Sequence, residues 1–154
     1  MTSAHCTLAD EAATEALGGA LQAHRPARGC VYLSGDLGAG KTTLVRGFLR
    51  AAGHQGAVRS PTYTLIEPYA LGRGMVYHLD LYRLGDAEEL EFIGLRELYE
   101  AGLLLVEWPE RGRGVLPAPG LGVHLEATAS GRRARLEVFA ESWPEARQLL
   151  DVLN

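Results

Sequence analysis

The sequence predicts a single α/β domain whose mixed sheet has a parallel core, is extended by antiparallel hairpins and is flanked by helices. Three observations predict it. A short apolar run of β-prone residues, Cys30-Val31-Tyr32-Leu33, leads into a glycine-rich loop and then into apolar residues at helical spacing, Thr43 to Arg50. Two further apolar runs, Met75 to Asp80 and Leu103 to Trp108, each carry a carboxylate at the end, Asp80 and Glu107. Residues 62–80 and 121–139 each divide at a glycine-bearing turn into two β-prone halves, the pattern of a hairpin.

Taken in order, Thr7 to about His24 reads as a first helix. Thr7 is its expected N-cap, Asp10 and Glu11 lie in the first turn, and Leu8, Ala12, Leu17 and Leu21 fall on one face until Arg25-Pro26 stops it. The strand at 30–33 is followed by a helix of about Thr42 to Ala52, with Gly53 placed to end it. His54 to Arg59 is loop, and the hairpin of 62–80 turns at Leu71-Gly72-Arg73-Gly74. Asp86 to Ile93 is helical with an acidic first turn, Leu95 to Ala101 is a second short helix, and 103–108 is a buried strand. Pro109 to Gly120 is rich in Pro, Gly and Arg and reads as loop. Leu121 to Thr128 and Arg132 to Phe139 form the second hairpin, and Ser142 with Glu145 has capping-box spacing for a terminal helix carrying Pro144 in its first turn.

Bulk properties narrow the function. A chain of 154 residues is long enough for one domain that buries about 68–70% of its unfolded surface. No apolar stretch is long enough to span a membrane, and the N-terminus has neither a basic nor an apolar leader segment, so a cytoplasmic protein with no membrane association is expected. Cys6 and Cys30 lack the spacing of a metal or redox pair and read as reduced thiols. The net charge of −4 argues against a dedicated nucleic-acid face, so any RNA connection is expected to be indirect.

The loop itself carries the chemistry. Gly35-Asp36-Leu37-Gly38-Ala39-Gly40-Lys41-Thr42 matches G-x-x-x-x-G-K-[ST], lies between strand and helix as that motif requires, and marks residues 1–154 as one P-loop ATPase domain. In such a loop successive amides curl around phosphate oxygens and the helix N-terminus contributes its positive dipole end. Lys41 reaches the β- and γ-phosphates, and the Thr42 hydroxyl ligates Mg²⁺. Lys41 is the sole lysine, while every other basic position apart from histidine is arginine. A compact ammonium suits the loop and a forked guanidinium does not. Guanine-reading proteins need an Asn-Lys-x-Asp element, and with no second lysine and Asn154 as the only asparagine the expected nucleotide is ATP.

A phosphate site of this kind also needs an acidic group at a strand end near the metal, and Asp80 and Glu107 both qualify, one to hold Mg²⁺ and the other to orient the attacking water. His78 alternates to the same face as Asp80 and reads as a hydrogen-bonding neighbour, because no second His or Cys lies at ligand spacing. Trp108 either stands beside the carboxylate or caps the core. Arg132, Arg133 and Arg135 cluster near a hairpin tip, either as a solvated face or as a phosphate or partner contact.

Four motifs in order make a more specific pattern. Gly35 to Thr43, Ser60-Pro61-Thr62-Tyr63-Thr64-Leu65, His78-Leu79-Asp80-Leu81-Tyr82-Arg83-Leu84 and Val106-Glu107-Trp108-Pro109-Glu110 resemble the motif set of the TsaE (YjeE) family. These are small P-loop ATPases of bacterial tRNA N6-threonylcarbamoyladenosine biosynthesis, acting with TsaB, TsaD and TsaC. The resemblance implies a nucleotide cradle over 35–43, Mg²⁺ held by Thr42 and Glu107, and Asp80 as the catalytic acid. It also implies Arg132 reaching the nucleotide from the C-terminal hairpin, a switch-like segment at Ser60 to Thr64, and partnership with TsaB and TsaD. The rival expectation is a P-loop small-molecule kinase with Arg111-Gly112-Arg113 as its lid.

Overall fold

The computed structural model describes residues 3–139 and 143–153. In chain order the elements are β1 (Ser3–Leu8), α1 (Glu11–Ala23), β2 (Gly29–Ser34), α2 (Lys41–Ala51), β3 (Ile66–Leu71), β4 (Gly74–Asp80), α3 (Glu89–Phe92), α4 (Leu95–Ala101), β5 (Gly102–Glu107), β6 (Leu121–Thr128), β7 (Gly131–Val138) and α5 (Pro144–Leu153). All seven strands join one sheet in the order β1-β7-β6-β2-β5-β4-β3. The inner four, β6, β2, β5 and β4, run parallel, and β3, β7 and β1 add antiparallel edges. This is the single α/β domain with a mixed sheet that the sequence predicts.

Strand periodicity sorts the core into two layers. Val31 and Leu33 of β2 and Leu103 and Leu105 of β5 pack with Leu17 and Leu21 of α1, Leu44, Val45 and Phe48 of α2, and Leu149 and Leu150 of α5. Their alternates Cys30, Leu104, Val106, Tyr77 and Leu79 pack with Leu90 of α3 and Leu95 of α4 on the other face. Positions 78 and 80 of β4 and 107 of β5 therefore face the α2 side. The C-terminal ends of the parallel strands meet at one edge of the sheet, where ligands of open α/β sheets bind.

Helices α1 and α2 approach closely through glycine. A Cβ on Gly18 would collide with Leu44 O and come within 2.7 Å of Phe48 N, and one on Gly47 would meet the backbone of Glu15. Two ion pairs, Arg46 to Glu11 at 2.7 Å and Arg46 to Glu15 at 3.3 Å, bridge the same pair of helices.

Three local expectations change. Thr7 is not a helix cap: it lies in β1, opposite Arg133 of β7, and the cap is Asp10, whose Oδ1 accepts from Ala13 N at 2.8 Å. The helical reading of 7–10 missed an edge strand whose partner lies far along the chain. Asp86 to Glu88 forms turns, leaving α3 a single turn. Within the expected loop after β5, Pro109–Gly112 makes a short 3₁₀ helix. The predicted cap Ser142 lies outside the described residues. No helix among the described residues is long and apolar enough to cross a membrane.

Candidate functional site

The glycine loop sits at the C-terminal end of β2 and closes onto α2. Its backbone explains its composition. Gly35, Gly38 and Gly40 have φ of 141°, 78° and 110°, a region that side chains other than glycine enter only with strain. A Cβ on Gly35 would also strike Leu125 O of the neighbouring β6. Ala39 turns back, its amide donating to Asp36 O at 3.1 Å, and its side chain is buried. The amides of Leu37, Gly38, Gly40, Lys41, Thr42 and Thr43 find no acceptor within the chain among the described residues. A run of free donors at a helix N-terminus is an anion cradle.

Lys41 is only 5% exposed. Its Nζ donates to Gly35 O, and to Asp36 O at 3.0 Å, and lies 4.2 Å from the centre of the Trp108 ring. Burial lowers its pKa from the usual lysine value, while Glu107, Asp80, Glu110 and Asp36 push the other way. Trp108 takes up a left-handed conformation, φ 58° and ψ 50°, which directs its ring over the loop and against Tyr82, 4.9 Å away.

The two strand-end carboxylates come together. Asp80 and Glu107 are register partners on β4 and β5, and both are buried. Thr42 Oγ1 lies 3.2 and 3.1 Å from the two oxygens of Glu107. Glu107 Oε2 also accepts from His78 Nε2 at 2.6 Å. Asp80 is held otherwise: Ser60 Oγ donates to its Oδ2, Thr62 Oγ1 stands 3.5 Å from the same oxygen, and Tyr82 N donates to Oδ1 at 2.9 Å. The segment from Ser60 to Thr64 is thereby pinned to the carboxylate, and it ends at Leu65, whose φ of 73° is rare for a leucine.

Arg132 arrives from the far end of the chain. Because β6 runs parallel to β2, the β6–β7 turn lies at the same edge as the loop. The Arg132 side chain packs over Gly40, its Nη1 donating to Thr14 Oγ1 at 3.4 Å. The arginine cluster is split by strand alternation: Arg133 and Arg135 point to the opposite face, where Arg135 pairs with Glu137 at 3.6 Å.

These groups surround one cavity of about 460 Å³. Leu37, Gly38, Gly40, Lys41, Thr42 and Thr43 line its floor, Asp80 and Glu107 one wall, and Trp108, Tyr82 and Arg132 its rim. Of the predicted site residues, Gly35, Asp36 and Ala39 are not in the lining but shape the loop, Gly35 and Asp36 through the carbonyls that accept from Lys41. The donor set fits a nucleotide phosphate and Mg²⁺: free amides and an ammonium for the anion, and a hydroxyl beside a carboxylate for a hard cation that prefers oxygen. The His78 to Glu107 bond and the Lys41 to Trp108 contact are resolved only in three dimensions, although the period-2 spacing of His78 and Asp80 points to the first.

Comparison with known proteins agrees with this geometry. Residues 8–135 match the family model described as threonylcarbamoyl adenosine biosynthesis protein TsaE. A Haemophilus influenzae protein named tRNA threonylcarbamoyladenosine biosynthesis protein TsaE is 52% identical over 107 residues, 69% of this chain and 68% of that one. Relatives of the same name from Synechocystis and Rickettsia conorii are 41% and 36% identical, over 68% and 82% of this chain and 69% and 73% of their own lengths. The crystal structure of Bacillus subtilis YdiB superposes with a TM-score of 0.76 at 26% identity, covering 99% of this chain and 95% of the other. The family match takes in the loop, both strand-end carboxylates and Arg132, and this chain belongs to the TsaE family.

Proposed function

We propose that residues 1–154 form one P-loop ATPase domain that binds ATP with Mg²⁺, hydrolyses it slowly, and serves N6-threonylcarbamoyladenosine modification of tRNA in the cytoplasm. Its partners are TsaB and TsaD, and it meets tRNA only through them. The observation that carries this reading is the juxtaposition of six acceptor-less amides and Lys41 with the Thr42–Glu107 pair at one sheet edge. The names of the relatives support the pathway.

In this reading the amides of Leu37, Gly38 and Gly40 to Thr43 hold phosphate oxygens. Lys41 leaves the carbonyls of Gly35 and Asp36 for the β- and γ-phosphates. Thr42 and Glu107 hold Mg²⁺, which when bound neutralises charge building on the phosphate oxygens. Asp80 orients the attacking water once the Ser60 and Thr62 hydroxyls release it, and Arg132 covers the nucleotide from the hairpin. The scissile phosphoanhydride breaks with water as acceptor, giving ADP and phosphate.

The test separates the two carboxylates. Glu107→Ala is expected to weaken Mg²⁺-dependent ATP binding, whereas Asp80→Ala leaves ATP bound and slows phosphate release by about 10²–10⁴-fold. Equilibrium titration and single-turnover phosphate assays read both. The reverse pattern would exchange the roles, and phosphate appearing on an organic acceptor in place of free phosphate would establish a kinase.

A further inference from the structure

His78 is the one buried histidine among the described residues, fully inaccessible on β4 and facing α2. Its Nε2 lies 2.6 Å from Glu107 Oε2, and both side chains are out of solvent, at 0% and 3% exposure. An ionised carboxylate has no hydrogen to give, so Nε2 carries it. The other ring nitrogen, Nδ1, is buried with no partner among the described residues. An imidazole that satisfies only one of its two nitrogens is a poor core filler. A leucine or phenylalanine would occupy the space without an orphaned polar atom. What the imidazole supplies is the single bond to Glu107.

That bond bears on the carboxylate's rotation. The terminal torsion of a glutamate is broad and nearly two-fold, so an untethered carboxylate samples many orientations. Here Thr42 Oγ1 sits almost equally far from both oxygens, at 3.1 and 3.2 Å, and does not choose between them. His78 does, by engaging Oε2 alone. We infer that His78 is a positioning residue for the cation site: it pins Oε2 of Glu107 and thereby fixes the carboxylate plane beside the Thr42 hydroxyl, so that hydroxyl and carboxylate are set for Mg²⁺ before the nucleotide arrives. This rests on the assignment of Mg²⁺ to Thr42 and Glu107 proposed above. Partners behind a metal-binding group act in this way generally, and removing one lowers metal affinity about 10–100-fold.

The test measures ATP affinity of the full chain by calorimetry, once in EDTA and once in saturating Mg²⁺, for wild type, His78→Leu and His78→Gln. In the wild type Mg²⁺ tightens binding. His78→Leu should lose about 10–100-fold of that tightening while its affinity in EDTA is unchanged. His78→Gln, whose amide nitrogen reaches the same oxygen, should recover most of it. Equal losses with and without Mg²⁺ would make His78 a packing residue, and an unchanged Mg²⁺ effect in His78→Leu, or no rescue by glutamine, would overturn the inference outright. A wild type that binds ATP without any Mg²⁺ effect overturns it too, and one that binds no ATP removes the nucleotide reading beneath it. Should His78→Leu not fold, nitrogen NMR of the wild type decides: the ring must carry its hydrogen on Nε2 and respond to Mg²⁺ with ADP, and an Nδ1–H ring refutes the proposal.

Discussion

At the scale of single residues, Lys41 shows what the site asks of a side chain. Its ammonium fits among two carbonyls and an indole face with almost no exposure. A guanidinium carries the same charge but is planar and broader, and it cannot converge on two carbonyls and a phosphate through one nitrogen. Lys41→Arg is therefore expected to bind ATP nearly as poorly as Lys41→Ala. Both should lose about 10–100-fold, the worth of a hydrogen bond to a charged group, when measured by titration with a fluorescent ATP analogue. Near-normal affinity in the arginine variant would remove the geometric argument. The sole lysine among arginines, the strand-end position of Asp80 and Glu107, and the glycine-rich loop of 35–42 were all legible in the sequence, since each answers a local demand. Trp108 was not. Its place over Lys41 depends on a left-handed backbone that no neighbouring residue signals.

At the scale of elements, the loop is only as well placed as the helix that carries it, and α2 is set against α1 by backbone contact. Adjacent positions of α1 should respond with opposite signs. Gly18→Ala forces a methyl into Leu44 O and Phe48 N and should destabilise by about 1–3 kcal/mol, as overpacking does. Gly19→Ala meets only the Ala51 methyl at 3.6 Å and should stabilise by about 0.5–1 kcal/mol through helix propensity. Urea denaturation reads both, and a neutral Gly18→Ala would contradict the close approach. Elements with strong local signals were legible: β2, α2, the second hairpin, α4 and β5 fall within a residue or two of their expected bounds, whereas the first hairpin, expected from 62, begins at Ile66 because 62–64 forms a turn. β1 was not. It is six residues long, its acidic sequel invites a helical reading, and its pairing with Arg132 to Glu137 is a contact the local pattern does not contain. The glycine pair of α1 hides its meaning for the same reason, because only the position of α2 distinguishes Gly18 from Gly19.

At the scale of the whole molecule, the cavity is open and Asp80 in its wall is tied to Ser60 and Thr62. The guanidinium at its rim, Arg132, rests on Gly40 and Thr14. Where an arginine finger is missing, turnover falls by about 10³–10⁵-fold, so the isolated chain is expected to release phosphate slowly. A partner that draws the 60–64 segment off Asp80 should speed it, and ATP should in turn tighten that partnership, since linkage between two binding events is reciprocal. Phosphate release with and without TsaB and TsaD, together with their affinity with and without ATP, checks both halves. Fast turnover alone with no mutual effect would defeat the switch. The seating of Lys41 has a further consequence, for chemistry applied from outside. Since the only ε-amine of the chain is sequestered beneath an indole, the exterior of the folded protein offers acylating and cross-linking reagents no lysine. Acylation of that one amine then becomes a direct gauge of cradle occupancy, slow in the native state, slower when phosphate fills the loop, and rapid only once the fold is lost.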